Sequence, residues 1–505
     1  MAVLAGALAL TNSCNRPGEV EEQDTLRFLI EFAPTNLDPR LGTDAQSELL
    51  DGLIFDGLVA RDAQMNVAAD LADKWETPDS LTYVFHLRRG VKFHDGRALT
   101  SADVKFTIDS ILSGAIPSPK RGAFQLVKAI ETPDDATVVF HLSEPYASFL
   151  WNLTRLAIGI VPQGAGSEVA QHPIGTGPFR FVSMTTDEEI VLERNPGYFG
   201  GEPIIERVRF QIVPDAIVRA LELRKGTADV AGINSLTPDM VASLAQQPGI
   251  LAEEQPGTEL AYIALNFDDP VLARREVRQA LAYATDRSTL IRYLLRGQAR
   301  PADSLLPPNH WAYEPNVRQY RYDPALAEKL LDAAGLPRGA NGVRLHLALK
   351  TSTEESARLL GEVLADQWKR VGVALELRPL ETATFYSDIA HGSFQLYTFR
   401  WLGANNDPDV FDYVFNSKRV PPDGANRGHY HNPALDALLD RQRVELDREK
   451  RKAILSEIQK IVAEDVPYIH LWYYDNVCLH RTRVAGIVVP PGGDYEFLRE
   501  AWLQR

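Results

Sequence analysis

The residues of this chain that could do chemistry are few, and their types point to holding a molecule more than to changing one. The stretch RWLGANNDPD, residues 400–409, gathers an arginine, a tryptophan, two asparagines and two aspartates just before a helical pattern. It contains no obvious nucleophile, no cysteine and no histidine. Trp401 offers a stacking face, and Asn405 and Asn406 offer amide hydrogen bonds, a set that suits a neutral polar ligand. Asp407 is predicted to cap the helix PDVFDYVF, with Asp409 favouring the positive end of the same helix. Val410, Phe411, Val414 and Phe415 would then face the core. Asp407 also stays among the candidate ligand contacts.

Metal chemistry finds little support. NNDPD lacks the spaced acidic ligands and the glutamate of a calcium loop. HYH, at 429–431, would place His429 and His431 on one face if it were a strand. A structural zinc needs four ligands, and no further ones stand nearby in sequence. Catalytic signatures are missing too: there is no G-x-S-x-G, no phosphate-binding G-x-x-x-x-G-K, no H-E-x-x-H and no C-x-x-C. GTGPF, at 175–179, lacks the third glycine of a dinucleotide loop. The chain therefore reads as a non-enzyme with no cofactor and no metal, and an extracytoplasmic hydrolase is the outlying alternative.

The chain has 505 residues, a length that suggests roughly three domains. It carries 53 Lys and Arg against 68 Asp and Glu, a net charge of −15. An acidic protein without a basic run lacks the concentrated cationic face that nucleic acid requires. The first residues, AVLAGALAL from Ala2 to Leu10, are apolar but too short to span a bilayer. They read as an export signal over residues 1–13, followed by a polar, acidic tether over 14–24. Cys14 sits where the acylated cysteine of bacterial lipoproteins would sit, although Thr11 stands where that pattern places leucine. The other cysteine, Cys478 in the strand-like YYDNVCLH, reads as a buried small thiol.

The elements behind the candidate loop alternate between strand and helix. TLRFLIEF (25–32) is a strand by composition and partial alternation. ETPDSLTYVFHL (76–87) and ETPDDATVVFHL (131–142) echo each other, each a turn feeding a β-branched and aromatic strand. The capped helix LTSADVKFTIDSIL lies between them, which predicts a small α+β subdomain over about 50–170. ERVRFQIV, ADVAGI, ELAYIALNF, VRLHLALK, VALELRPL and PYIHLWYYDNVCL read as further strands. YDPALAEKLLDAAG has Asp323 as N-cap, Pro324 at the first helical position and Gly335 just past the end. Arg278 and Asp286 are expected to tie down helix ends. Mixed α/β lobes follow.

Several segments together resemble the extracytoplasmic solute-binding proteins of ABC importers, in the dipeptide, oligopeptide and nickel-binding family (solute-binding protein family 5). They are RRGVKFHDGRALTSADVKFTIDSIL, HPIGTGPFRF with LERNPGYFGGEP, VRQALAYATDRSTLI, YDPALAEKLLDAAG, and NRGHYHNPALDALL with IQKIVAEDVPYIHLW. They run in the family's order from about residue 60 to 475. The resemblance implies an α/β, two-lobed periplasmic-binding-protein (Venus-flytrap) fold with an extra α+β subdomain in the first lobe. Lobe I would cover 25–260, lobe II 261–474, and residues 475–505 would return to lobe I. It implies capture of a peptide or another small polar solute in an interlobe cleft and delivery to the permease subunits in the membrane. The protein would be an extracytoplasmic monomer, tethered if Cys14 is acylated. A ligand sensor of the same fold, feeding a receptor, is the alternative.

The resemblance also bears on the site. In the family the loop matching 401–406 faces the cleft, and its tryptophan, here Trp401, lines the pocket. In peptide-binding members an aspartate three residues later takes the ligand's α-ammonium; here that position is Ala404. Burying an ammonium without a carboxylate costs several kcal/mol in effect. The cation for a ligand carboxylate follows the strand matching LHLALK, where this chain has Lys350, a point charge without arginine's paired fork. Asn426 and Arg427, in GANRGHY, are further candidates. A longer peptide held by main-chain pairing fits the same pattern.

Overall fold

The computed structural model describes residues 24–62, 64–401 and 407–504. Cys14 and Ala404 to Asn406 therefore lie outside the described residues. A large mixed sheet runs through the molecule, and its order explains why two bodies share one backbone. Starting at one edge, Val373–Leu380, Leu345–Ser352 and Leu396–Trp401 lead to the long strands Ile250–Leu265 and Tyr468–Arg481. Beyond these come Val230–Ala231, Thr25–Ile30, Arg207–Ile212, Glu189–Arg194 and Phe179–Thr185. The two long strands pair antiparallel along almost their whole length and belong to both halves. Their register breaks between Pro256 and Leu260. Gly257 lies in that break, where a Cβ would come within 2.5 Å of the Tyr474 carbonyl oxygen. Only glycine lets the backbones approach so closely there.

The sequence placed a strand at ELAYIALNF; the strand begins nine residues earlier, at Ile250. LAEEQPG carries Pro, Gly and two glutamates, a poor strand composition. Pairing with Asp475–Arg481 overrides it, as tertiary context commonly does for strands. ADVAGI shrinks to the two-residue strand Val230–Ala231.

Each half has its own apolar core. On one side Leu26, Phe28, Phe55, Leu192 and Phe210 pack with the C-terminal Tyr495 and Leu498. The Phe28 and Tyr495 rings lie 4.9 Å apart. On the other side two cores flank the sheet. One joins Leu281, Leu349 and Trp368; the other joins Tyr262, Tyr397, Phe411, Leu435 and Leu455.

The echoed segments form a four-stranded sheet of two hairpins, Ala72–Asp79 with Thr82–Leu87 and Val127–Asp134 with Thr137–Leu142. ETPD is the end of a preceding strand plus its turn, so each copy is a hairpin where a single strand was expected. Asp79 accepts from the Leu81 amide at 2.8 Å, and Asp134 from the Ala136 amide at the same distance. The two inner strands pair with each other about a local twofold, Thr82 opposite His141 and His86 opposite Thr137. The helix Ser101–Leu112 begins at a Thr100–Asp103 capping box, as its sequence predicts. Leu58, Phe85, Val104, Ile108, Phe140 and Phe149 build the core of this subdomain.

The turns FHDG and GTGPF brace each other. The His94 amide donates to the Gly175 carbonyl at 2.9 Å, and the Gly177 amide to that of Ile54 at 2.9 Å. HYH is not a strand: His429 has a positive φ of 55° and pairs with Asp268 at 2.6 Å. The shared face that a strand would have given His429 and His431 therefore does not form. Among the described residues no cluster of three metal-binding side chains occurs.

Candidate ligand-binding site

The strand Leu396–Trp401 runs antiparallel to Ile250–Leu265, with Trp401 opposite Leu260 and Phe399 opposite Tyr262. Alternation puts Tyr397, Phe399 and Trp401 on one face, Tyr397 buried and the other two half-buried. Trp401 stacks on Tyr262 at 6.1 Å and 14°, and Tyr262 stacks on Tyr468 at 4.2 Å and 12°. Tyr413 meets Trp401 edge-on at 6.3 Å. The Arg427 guanidinium stands 6.0 Å from the Trp401 ring, at the outer limit of a cation–π contact. The indole N–H of Trp401 is buried without a hydrogen-bond partner among the described residues. Such a donor is costly unless something accepts from it. The structure thus brings Trp401 and Arg427 together on an aromatic wall.

The opposite face of the same strand end carries Arg400. Its guanidinium pairs with Glu259 at 2.9 Å and lies 5.5 Å from the Tyr474 ring, beside the break in the long strands. Burial raises the Glu259 pKa above its ordinary value, and Arg400 opposes that rise.

The other candidates are placed differently. Lys350 donates to Asp388 at 2.6 Å and to the Ser393 carbonyl, so its charge is already matched. Asn426 is buried, and its amide donates to the Asn416 and Tyr430 carbonyls at 3.2 and 2.8 Å. Its Oδ1 accepts from the Tyr430 amide at 2.9 Å. That side chain closes its own loop, which is why the structure gives it no free group for a ligand.

Asp407 does not cap the helix Val410–Phe415 by its side chain; Asp409 is the N-terminal residue there. The Asp407 carboxylate accepts from the Asp409 amide at 2.7 Å, a local turn. It also accepts from the Ser148 hydroxyl at 2.6 Å and lies 3.4 Å from Arg451 Nη2. Asp409 accepts from Tyr146 at 3.2 Å and from Gln442 at 2.7 Å, with Arg443 at 3.7 Å. Arg451 in turn donates to Ser148 at 3.0 Å and to Gln442 at 2.9 Å. Tyr146 and Ser148 belong to the echo subdomain, whereas the carboxylates belong to the opposite body. This polar seam was invisible in sequence, because its partners lie 259 and 263 positions apart.

With this geometry in hand, comparison with known proteins is decisive. The family model for bacterial extracellular solute-binding proteins, family 5, matches residues 66–421. The chain belongs to that family. It is 30% identical over 508 residues to the dipeptide-binding protein of Escherichia coli K12, covering 94% of each chain. It is 29% identical to heme-binding protein A of Haemophilus influenzae, over 93% of this chain and 91% of that protein. Among solved structures, the ABC transporter substrate-binding protein CtaP of Listeria monocytogenes superposes with a TM-score of 0.86 at 27% identity. That match covers 95% of this chain and 99% of the other. NikA of Brucella suis, in complex with Fe(III)-EDTA, gives 0.85 at 25% identity over 95% and 100%. The fold is the two-lobed periplasmic-binding-protein architecture with its extra subdomain, and the chain is a substrate-binding component of an ABC transporter. Its relatives are solute-binding components of transporters and extracytoplasmic. Among the described residues no helix is long and apolar enough to cross a membrane.

Proposed function

We propose that the chain captures a peptide or a similarly sized polar solute against the Trp401 wall and hands it to a membrane permease. The relatives' names span dipeptide and heme ligands, so the printed names alone leave the solute class open. The observation that carries the reading is the stacked aromatic wall at the end of a strand, with Arg427 beside Trp401 and the buried Trp401 N–H unpartnered among the described residues. A clamp made of a free ammonium site and a free carboxylate site fits poorly, since Ala404 replaces a carboxylate and Lys350 is neutralised by Asp388. Stacking on Trp401 and hydrogen bonds from Asn405 and Asn406 would dominate instead. The proposed lobes are 25–260 and 261–474, with 475–505 returning to the first; the packing of Tyr495 on Phe28 supports that return. The proposed location is extracytoplasmic, as a monomer tethered through an acylated Cys14.

Native mass spectrometry of the purified protein, with release and identification of what is bound, tests this reading. A released peptide or small polar solute is expected. Retention of nothing, together with no thermal shift across a panel of di- to pentapeptides, sugars and metal chelates, would sink it.

A further inference from the structure

The seam between the echo subdomain and the opposite body is more completely built than passive contact requires. Two carboxylates two residues apart, Asp407 and Asp409, meet one hydroxyl each from Ser148 and Tyr146. Ser148 and Gln442 are buried, and the side chains of Asp407, Asp409 and Arg451 are 15%, 18% and 6% exposed. The Ala147 amide, between the two hydroxyl residues, donates to the Arg443 carbonyl at 2.8 Å. The Arg443 guanidinium lies 5.2 Å from the Tyr146 ring. Three consecutive residues of one body, 146 to 148, therefore each make a polar contact with the other. Opening the lobes breaks all of these contacts and uncovers the side of the two carboxylates that Tyr146 and Ser148 close off.

We infer that Asp407 and Asp409 are positioning residues of an interlobe latch, holding Tyr146 and Ser148 and so favouring the closed form without touching the solute. This inference rests on the solute-capture reading for its purpose, but the latch itself is defined by contacts on the protein alone. It also gives Asp407 a role other than the ligand contact that its place in the sequence suggested. Affinity would then depend on residues remote from the solute, because a ligand that binds the closed form gains by whatever fraction of the protein is already closed.

The test measures closure directly. The full chain carries spin labels at Lys128→Cys and Lys418→Cys, one exposed position on each body, with Cys14→Ser; Cys478 is buried and stays unlabelled. Electron–electron distance distributions are recorded after any bound solute has been removed by unfolding and refolding. The expected result is a closed population in the parent protein whose closed-to-open ratio falls about 5- to 30-fold in Tyr146→Phe combined with Ser148→Ala, the factor for losing one to two kcal/mol. Each single substitution is expected to give part of that fall. A parent protein that is fully open, or a ratio unchanged in the double variant, overturns the latch. Failure of the solute-capture reading shows separately, as no bound molecule and no thermal shift, while the label distances still respond to Tyr146→Phe and Ser148→Ala.

Discussion

At one seam Tyr146 and Ser148 press into a group of carboxylates and guanidiniums that are largely shut off from water. At another, Arg296 meets Asp239 at 2.5 Å with side chains 49% and 72% exposed. Both join the two bodies, since Asp239 begins a helix that packs with Leu223 and Val477, and Arg296 follows one that packs with Leu281 and Trp368. Exposed pairs of the second kind contribute about 0–1 kcal/mol. Groups of the first kind are costly to leave half-made, because each lost partner strands a buried charge or donor. The difference teaches that interlobe contact alone says little about what holds the closed form; burial decides it.

The largest effect is expected from Arg451→Met. That change leaves Asp407 and Asp409 buried side by side and removes the donor to Ser148 and Gln442. A loss of about 3–5 kcal/mol is expected, the range for breaking one side of a buried pair. Urea unfolding followed by tryptophan fluorescence measures it, and a loss below 1 kcal/mol would mean that the seam is wetter than its burial implies. Next comes Trp401→Ala, which removes the wall without touching the seam. Binding of the released solute, followed by calorimetry, should weaken by about 2 kcal/mol or more, the scale of an aromatic hot spot. The unliganded closed-to-open ratio should not change.

Those two variants separate what sequence could reveal from what it could not. Trp401 could be named from its ring, its polar neighbours and the family pattern, signals that act over a few positions, and the structure sets it on a stacked aromatic wall. The local stops and starts were legible too: Asp323 accepts from the Leu326 amide at 2.9 Å, and Gly335 takes a φ of +73° just past that helix. The echoed hairpins were visible as repeats, although their first strands were hidden in an exposed, charged stretch, Ala72–Asp79. Lys350 looked like a free cation because its neutralising partner, Asp388, lies 38 residues away. Ser148 carries no local signal at all, being a serine in a loop whose partner is set only by tertiary folding. Reach along the chain, more than residue type, separated what could be read from what could not.

A subtler way to sharpen the comparison is pH. Burial holds the Asp409 pKa up at about 6 against an ordinary 3.8; Asp407 and Asp412 add to the rise, and Arg443 and Arg451 oppose it. Tyr146, also facing Asp409, is raised by burial and stays a neutral phenol. Glu144 lies near Arg443 on the same side. A raised carboxyl pKa means that the closed seam binds a proton which an open, hydrated Asp409 has released. Closure is therefore favoured as pH falls through about 6 and loses that contribution above it. Between pH 7 and pH 5 the closed-to-open ratio should rise about tenfold, as one proton with these two pKa values requires over that range. Asp409→Asn, which keeps an oxygen for Tyr146 but has no charge to desolvate, should flatten the profile near its low-pH level; the latch lies in the hydrogen bonds to Asp409, and its charge opposes closure above pH 6. A rise that persists in Asp409→Asn would assign the proton to another group.

The smallest expected effect belongs to Asp239→Asn at the exposed seam. Arg296 there loses a partner that water replaces at little cost, so stability and closure should stay within about 0.5 kcal/mol of the parent. Raising salt should screen the exposed pair further, with little effect on stability because the pair contributes little, and should hardly reach the buried seam. If Asp239→Asn instead opened the protein as far as Tyr146→Phe does, burial would not be what ranks these contacts. The Arg296–Asp239 pair would then have to be read as a second latch between the bodies.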